Sequence, residues 1–265
     1  MFIFGLSGNS FAGQWSLNAG IQAFSGNYIY TQNTSVYYMT GGIRYRTPGW
    51  NLSLSVPFIA QNSSSVTNMG GMFFPNNENA VHGDAAHWNM HGRQTSETLT
   101  THHMSFALAD MYVYGERQVL AENGTLPAFS LVGQVKFPTA SVQENYGTGE
   151  YDYSVGAAFR KSVYPFVLSF DISYFRIGDP AGITYQDPVI LGVGVGKFFL
   201  NGRLSVLAYY HNYSRILSDY DPPRQVTFGG YYKLSQQLFL SGSTLFGLSN
   251  TSPDLGLAMA IEVGL

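Results

Sequence analysis

Segments of roughly ten residues, alternating apolar with small or polar side chains, repeat about twelve times along the chain. Trp15-Ser16-Leu17-Asn18-Ala19-Gly20-Ile21-Gln22-Ala23 shows the pattern first, and 255–265, ending Ala260-Ile261-Glu262-Val263-Gly264-Leu265, shows it last. A strand that crosses a bilayer at a tilt needs about 9–11 residues. One of its faces meets lipid and the other a polar interior. The pattern predicts an all-β transmembrane antiparallel barrel of the bacterial outer-membrane kind. Its strands are expected near 13–24, 35–47, 49–60, 104–118, 127–138, 151–162, 165–178, 188–200, 203–216, 224–234, 237–249 and 255–265.

Parity within these segments separates two faces. Leu17, Ala19, Ile21, Leu52, Leu54, Val56, Phe58, Val189, Leu191, Val193, Val195, Leu238 and Leu240 fall on the lipid side. Arg44, Arg46, Asp110, Glu116, Lys136, Asp152, Arg160, Asp171, His211, Lys233 and Glu262 fall on the inner side, as do Ser16, Asn18, Gln22 and Gln134. A cation facing lipid at the midplane costs about 2–4 kcal/mol, so this sorting is what a barrel demands. Gly192, Gly194, Gly196, Gly229, Gly256, Ala258 and Ala260 leave space on the inner side. Trp15, Tyr45, Trp50, Tyr153, Tyr164, Tyr174, Phe198, Phe199 and Tyr232 lie near strand ends, where interfacial girdles form.

The predicted connections alternate in length. Thr47-Pro48-Gly49, 121–126, 162–165, Asn201-Gly202 and Ser235-Gln236 are short. Segments 25–34, 61–103, 139–150, 179–187, 217–223 and 250–254 are long. Short periplasmic turns and longer outside loops are the habit of these barrels, which places both chain ends in the periplasm. Pro48-Gly49 and Asn201-Gly202 read as tight turns with positive φ at Gly and Asn. At the start, Met1-Phe2-Ile3-Phe4-Gly5-Leu6 is apolar and Ser10-Phe11-Ala12 is small-x-small, without a basic leader; the reading favours a mature or nearly mature start.

Composition agrees. Charged residues make up 11 % of the 265, aromatics 15 %, and mean hydropathy is −0.02. No run of apolar residues is long enough for a membrane-spanning helix. The net charge of −3 carries no nucleic-acid footprint, and there is no cysteine for a disulfide frame. The expected arrangement is one domain over 1–265, a monomeric barrel in the outer membrane of a Gram-negative bacterium, with bilayer lipid around it.

Lys136-Phe137-Pro138-Thr139, then Gly147-Thr148-Gly149-Glu150-Tyr151-Asp152-Tyr153-Ser154-Val155-Gly156, then Arg160-Lys161, resembles the central hairpin of outer-membrane proteins associated with the meta-pathway of phenol degradation. Leu191-Gly192-Val193-Gly194, Tyr231-Tyr232-Lys233-Leu234-Ser235, Leu248-Ser249-Asn250 and Pro253-Asp254-Leu255-Gly256 look alike as well. The resemblance covers about half the chain and implies a barrel of about twelve strands that transports small, often aromatic, compounds. Three features depart from it: Ala140 stands where Gly is common, 61–103 has no counterpart, and the chain ends in Leu265 rather than Phe.

Two groups of residues carry candidate chemistry. The inward charges either line a selective pore or pair with one another across strands. The 61–103 segment holds His82, His87, His91, His102 and His103, with Met69, Met72 and Met90 nearby. Imidazoles at this spacing are candidate ligands for Zn or Cu; the alternative is a solvated polar lid. Met72-Phe73-Phe74 and Trp88 are expected to anchor the segment as a loop or plug at the mouth. No G-x-S-x-G elbow is present, so catalysis is not expected. Ser205, His211 and Asp171 are the candidate members of a lipase-like wall constellation. The leading expectation is a passive channel for small solutes, aromatic or hydrophobic ones included. The alternative is a structural barrel with a blocked lumen that anchors its loops or holds a protein partner at the loops or in the lumen.

If His82, His87 and His91 hold Zn or Cu, affinity rises as pH increases through about 6.5, where imidazole loses its proton. Calorimetry is expected to show this binding and to lose it when all three become Ala.

Overall fold

The computed structural model describes residues 13–28, 33–62, 66–69, 72–75, 105–142, 146–180 and 182–265. Its strands are β1 (Gln14–Gly26), β2 (Thr34–Arg46), β3 (Trp50–Gln61), β4 (Val66–Met69), β5 (Met72–Pro75), β6 (Ser105–Leu108), β7 (Met111–Leu120) and β8 (Ala128–Phe137). They continue as β9 (Asp152–Val163), β10 (Phe166–Arg176), β11 (Val189–Phe199), β12 (Leu204–Tyr213), β13 (Arg224–Lys233), β14 (Leu238–Gly247) and β15 (Leu255–Gly264). Sequential strands pair antiparallel around a circle, and β1 closes it against β15 from Ser16↔Gly264 to Ser25↔Leu255. Both β6 and β7 pair with β3, so together they act as one interrupted strand in a closed barrel of twelve. Short β4 and β5 form a separate hairpin within the 61–103 segment, which the sequence pattern had shown as loop.

The interruption is a β-bulge. On β3, two residues separate Ser55 from Phe58, whereas three separate their partners Tyr112 and Leu108. Pro57 lies within this stretch and has no N–H for the ladder; its carbonyl accepts from the Ala109 N–H at 2.9 Å. A bulge lets consecutive side chains point the same way. Ala109 and Asp110 both turn inward and are buried. An unbroken strand over 104–118 would instead have sent Phe106 and Leu108 inward, but both are exposed on the outer face.

The outer face carries the expected apolar side chains: Leu17, Ile21, Leu52, Phe58, Leu191, Val193, Val195 and Leu240 are all exposed. Aromatics gather at the rims. Trp15 stacks near Tyr45 (4.7 Å between centroids) at the short-turn end, and Tyr151 lies near Phe137 and Tyr153 at the other. Tyr164 is 98 % exposed at the β9–β10 turn and stands clear of the girdle expected for it. At the β11–β12 turn Asn201 and Gly202 adopt φ of 54° and 84°, as expected. Gly49 does not take a positive φ; Thr47 holds that turn, its Oγ1 accepting from the Trp50 N–H at 3.0 Å.

Val193 sits mid-strand and faces outward. Replacing it with Arg is expected to cost about 2–4 kcal/mol, read by urea unfolding in micelles, while the wild type migrates faster unheated than heated on a denaturing gel.

Candidate functional site

The barrel encloses a cavity of about 440 Å³. It extends from Phe24 and Tyr146 at the long-loop end to Gln118 and Phe239 at the short-turn end. Its two walls differ. Inward positions of β13, β14, β15 and β1 are mostly small, as with Gly229, Ser241, Ser243, Ala258, Ala260 and Gly20. The facing wall presents Tyr112, Tyr114, Glu116, Gln134, Arg160 and Asp171. Period-two alternation explains which residues point in, and three levels along the axis differ in chemistry.

The mouth at the long-loop end is narrowed by loops that fold inward. Ala140 and Tyr146, from the β8–β9 loop, pack with Phe24, Tyr28, Val36, Ile59 and Ala109. On the other side Ile177, Ile183 and Tyr185 from the β10–β11 loop pack with Phe175, Tyr213 and Ile216. Burial, reinforced by Asp152, pushes the Tyr185 phenol up from its ordinary pKa.

Between these clusters Lys136 is only 2 % exposed. Its Nζ contacts Asp152 Oδ2 at 2.7 Å and Asp110 Oδ2 at 3.4 Å, and donates to Thr148 Oγ1 at 3.1 Å. The two carboxylates bind loop backbone in turn. Asp110 Oδ1 accepts from the Ala140 N–H at 3.0 Å, and Asp152 Oδ1 from the Gly178 N–H at 2.9 Å. One buried cation therefore ties together strand, bulge and two loops.

At mid-height, Asp171, Gly192, His211 and Gln225 occupy one row across β10 to β13. Tyr209 donates its phenol proton to Asp171 Oδ1. Its ring lies 4.6 Å from that of His211, and Gln225 Nε2 donates to Tyr213 Oη at 3.2 Å. Gly192 is required by this crowding: a Cβ there would stand 2.5 and 2.7 Å from the Asp171 oxygens and 2.7 Å from the Tyr209 ring.

Near the short turns, Glu262 accepts from Ser16 at 2.9 Å and pairs with Arg44 at 2.5 Å and Arg46 at 3.6 Å. Glu116 accepts from Asn51 and Tyr114, both at 3.5 Å. Tyr231 stacks on Phe239 at 5.4 Å, with Lys233 Nζ 5.8 Å from the Phe239 centroid.

Seven of the eleven predicted inner charges line the cavity: Arg44, Asp110, Glu116, Arg160, Asp171, His211 and Glu262. Lys136 and Asp152 are sealed within the mouth, Arg46 backs Glu262, and Lys233 lies against Phe239 at the lower rim. Cross-strand pairing is realised in the Arg44–Arg46–Glu262 and Asp110–Lys136–Asp152 groups. Tyr112, Tyr114, Tyr146, Tyr209, Tyr213 and Tyr231 also line the cavity. Inward parity could have found all but Tyr146, which arrives on a loop. Ser205 and His211 are six residues apart on one strand, roughly 20 Å at the rise of a strand, so they form no nucleophile–base pair. His82, His87 and His91 lie outside the described residues, as does Trp88; the side chains of Met72, Phe73 and Phe74 are likewise not described.

No protein-family model matches the chain, and no curated protein matches it. Solved structures do. An outer-membrane channel from Pseudomonas putida F1 superposes with a TM-score of 0.62 at 8 % identity, covering 98 % of this chain and 100 % of that one. The translocator domain of the autotransporter NalP from Neisseria meningitidis gives 0.49 at 10 % identity, over 94 % and 88 %. CymD, a monoaromatic hydrocarbon channel, gives 0.48 at 8 % identity, over 95 % and 87 %. At such identities the likeness is one of fold, and it rests on the first of the three. The chain has the fold of an outer-membrane β-barrel.

Changing Lys136 to Met leaves two buried carboxylates without their cation. The expected loss is about 3–5 kcal/mol in micelle unfolding.

Proposed function

We propose that the barrel is a channel for passive movement of small, aromatic or hydrophobic solutes across the outer membrane. The observation that carries this reading is the cavity of about 440 Å³, lined by phenolic rings and by small hydroxyl and glycine positions. That volume lies in the range of sites that hold small organic molecules. The mouth is apolar and aromatic, so a solute that partitions from water loses little on arrival. Below it, hydroxyls and phenols offer hydrogen bonds while most formal charges are already paired. A hydrated ion gains nothing in such a place; a phenol or similar ring gains contact area and one or two hydrogen bonds.

Two further observations support the reading. A solved structure with the same fold over this chain's length is itself an outer-membrane channel. The central hairpin resembles barrels tied to phenol degradation, which implies aromatic cargo. The residues proposed to meet the solute are Tyr112, Tyr114, Tyr209 and Tyr231, with Arg160 and Glu116 setting the polarity of the lower lumen.

A second reading has an observation of its own. The apolar clusters and the Lys136 group narrow the mouth, as expected for a blocked barrel that anchors its loops or holds a protein partner. Liposome flux separates the two. Under the channel reading, purified protein lets benzyl alcohol pass faster than a disaccharide, and Tyr146→Ala raises the flux by thinning the mouth. Vesicles no leakier than empty ones, with wild type and variant alike, would establish the anchoring role instead.

A further inference from the structure

Three basic side chains project from the outer face at the short-turn rim, where alternation would place apolar groups, and a fourth extends from a turn at the same rim. Arg117 is on β7, Lys161 on β9, Lys197 on β11, and Arg203 begins the last turn before β12. The guanidinium of Arg117 lies 4.9 Å from the Trp50 ring. Lys197 Nζ sits between Phe166 and Phe199, 5.6 and 5.0 Å from their centroids. Arg203 lies 5.8 Å from Tyr232 and donates to the carbonyls of Lys233 and Leu234. Stems of this kind run along apolar surface while their charged ends reach the headgroup layer.

Of these four, Lys161 alone is neutralised locally among the described residues. It pairs with Glu122 at 3.0 Å, and its hydrogen bond, with those from Ser162, holds the Glu122 carboxyl below the usual range. Among the described residues no carboxylate pairs with Arg117, Lys197 or Arg203. The opposite rim is different, since its arginines are mixed with Asp187, Asp219 and Asp221. Sheet order makes the cations one arc, over β7 to β12, about half the circumference of a twelve-stranded barrel. On its outer face the remaining rim carries Trp15, Leu234 and Val263.

We propose that this arc is a docking surface for phospholipids with a net negative headgroup, of the phosphatidylglycerol kind, in the leaflet at the short-turn end. Charge complementarity selects the occupant: aromatic faces hold the cations at headgroup height, and guanidinium groups match a phosphodiester bidentately. A zwitterionic headgroup brings its own cation and gains less. The proposal stands independently of what passes through the lumen.

Trp50, on β3, borders the arc beside Arg117 and reports on it once Trp15 and Trp88 are replaced by Phe. Vesicles containing brominated phosphatidylglycerol or brominated phosphatidylcholine will quench its fluorescence in proportion to occupancy. The expected preference for the anionic lipid is about fivefold, the worth of one basic residue at an anionic surface. It should fall to near one in the triple variant Arg117→Gln, Lys197→Gln, Arg203→Gln, and persist in Arg117→Lys, Lys197→Arg, Arg203→Lys. Heat-shifted gel mobility verifies that each variant is folded. Equal quenching by both lipids with the arc intact, or a preference unchanged in the Gln variant, overturns the proposal.

Discussion

Hydrocarbon offers no partner for a backbone N–H or C=O, and this one fact dictates the architecture. Every group left unpaired in the bilayer core costs several kcal/mol, so a sheet that crosses it has to close. Here β15 meets β1 and no edge remains. Once the ladder closes, alternation stops being a local habit and becomes a boundary between two solvents. The strip that looks outward meets lipid, and whatever is polar has only the interior to occupy. The charges inside are a consequence of closure before they are anything to do with transport.

Confined together, those charges largely satisfy one another. Arg44, Ser16 and Glu262 stand on β2, β1 and β15, three strands adjacent only because the circle is complete. The Lys136 group works differently: its acids reach beyond the cation to the backbone of two loops, so strand and mouth are held as one piece. Besides these charges the lumen wall is chiefly phenol and hydroxyl, a chemistry suited to neutral rings more than to ions.

Strand positions were legible from alternation, because the same two-residue period decides both sequence and face. For the twelve strands of the barrel, taking β6 and β7 as one, predicted and observed bounds agree within a few residues; the β4–β5 hairpin was missed. The bulge at Ala109 and Asp110 was not legible, since one extra residue leaves no mark on composition and shows only against the partner strand. Pairing of Arg44 with Glu262 was hidden for a related reason: 218 residues separate them, and parity gives direction without rotational neighbours. Tyr146 escaped because loops have no period. The phenolic wall of Tyr112, Tyr114, Tyr209, Tyr213 and Tyr231 follows the same inward parity as the charges, so it was legible in the sequence.

The seam between β1 and β15 also governs time. Its last bond runs from the Leu265 N–H to the Trp15 carbonyl at 2.9 Å, joining nearly opposite ends of the chain. Until that strand is made, any intermediate carries two open edges, each a template for a stray partner. Contacts so distant in sequence close slowly, because chain entropy must be lost before pairing rewards it. A chain of this kind has to be shielded until β15 reaches β1, and commitment to the native form comes only with that pairing.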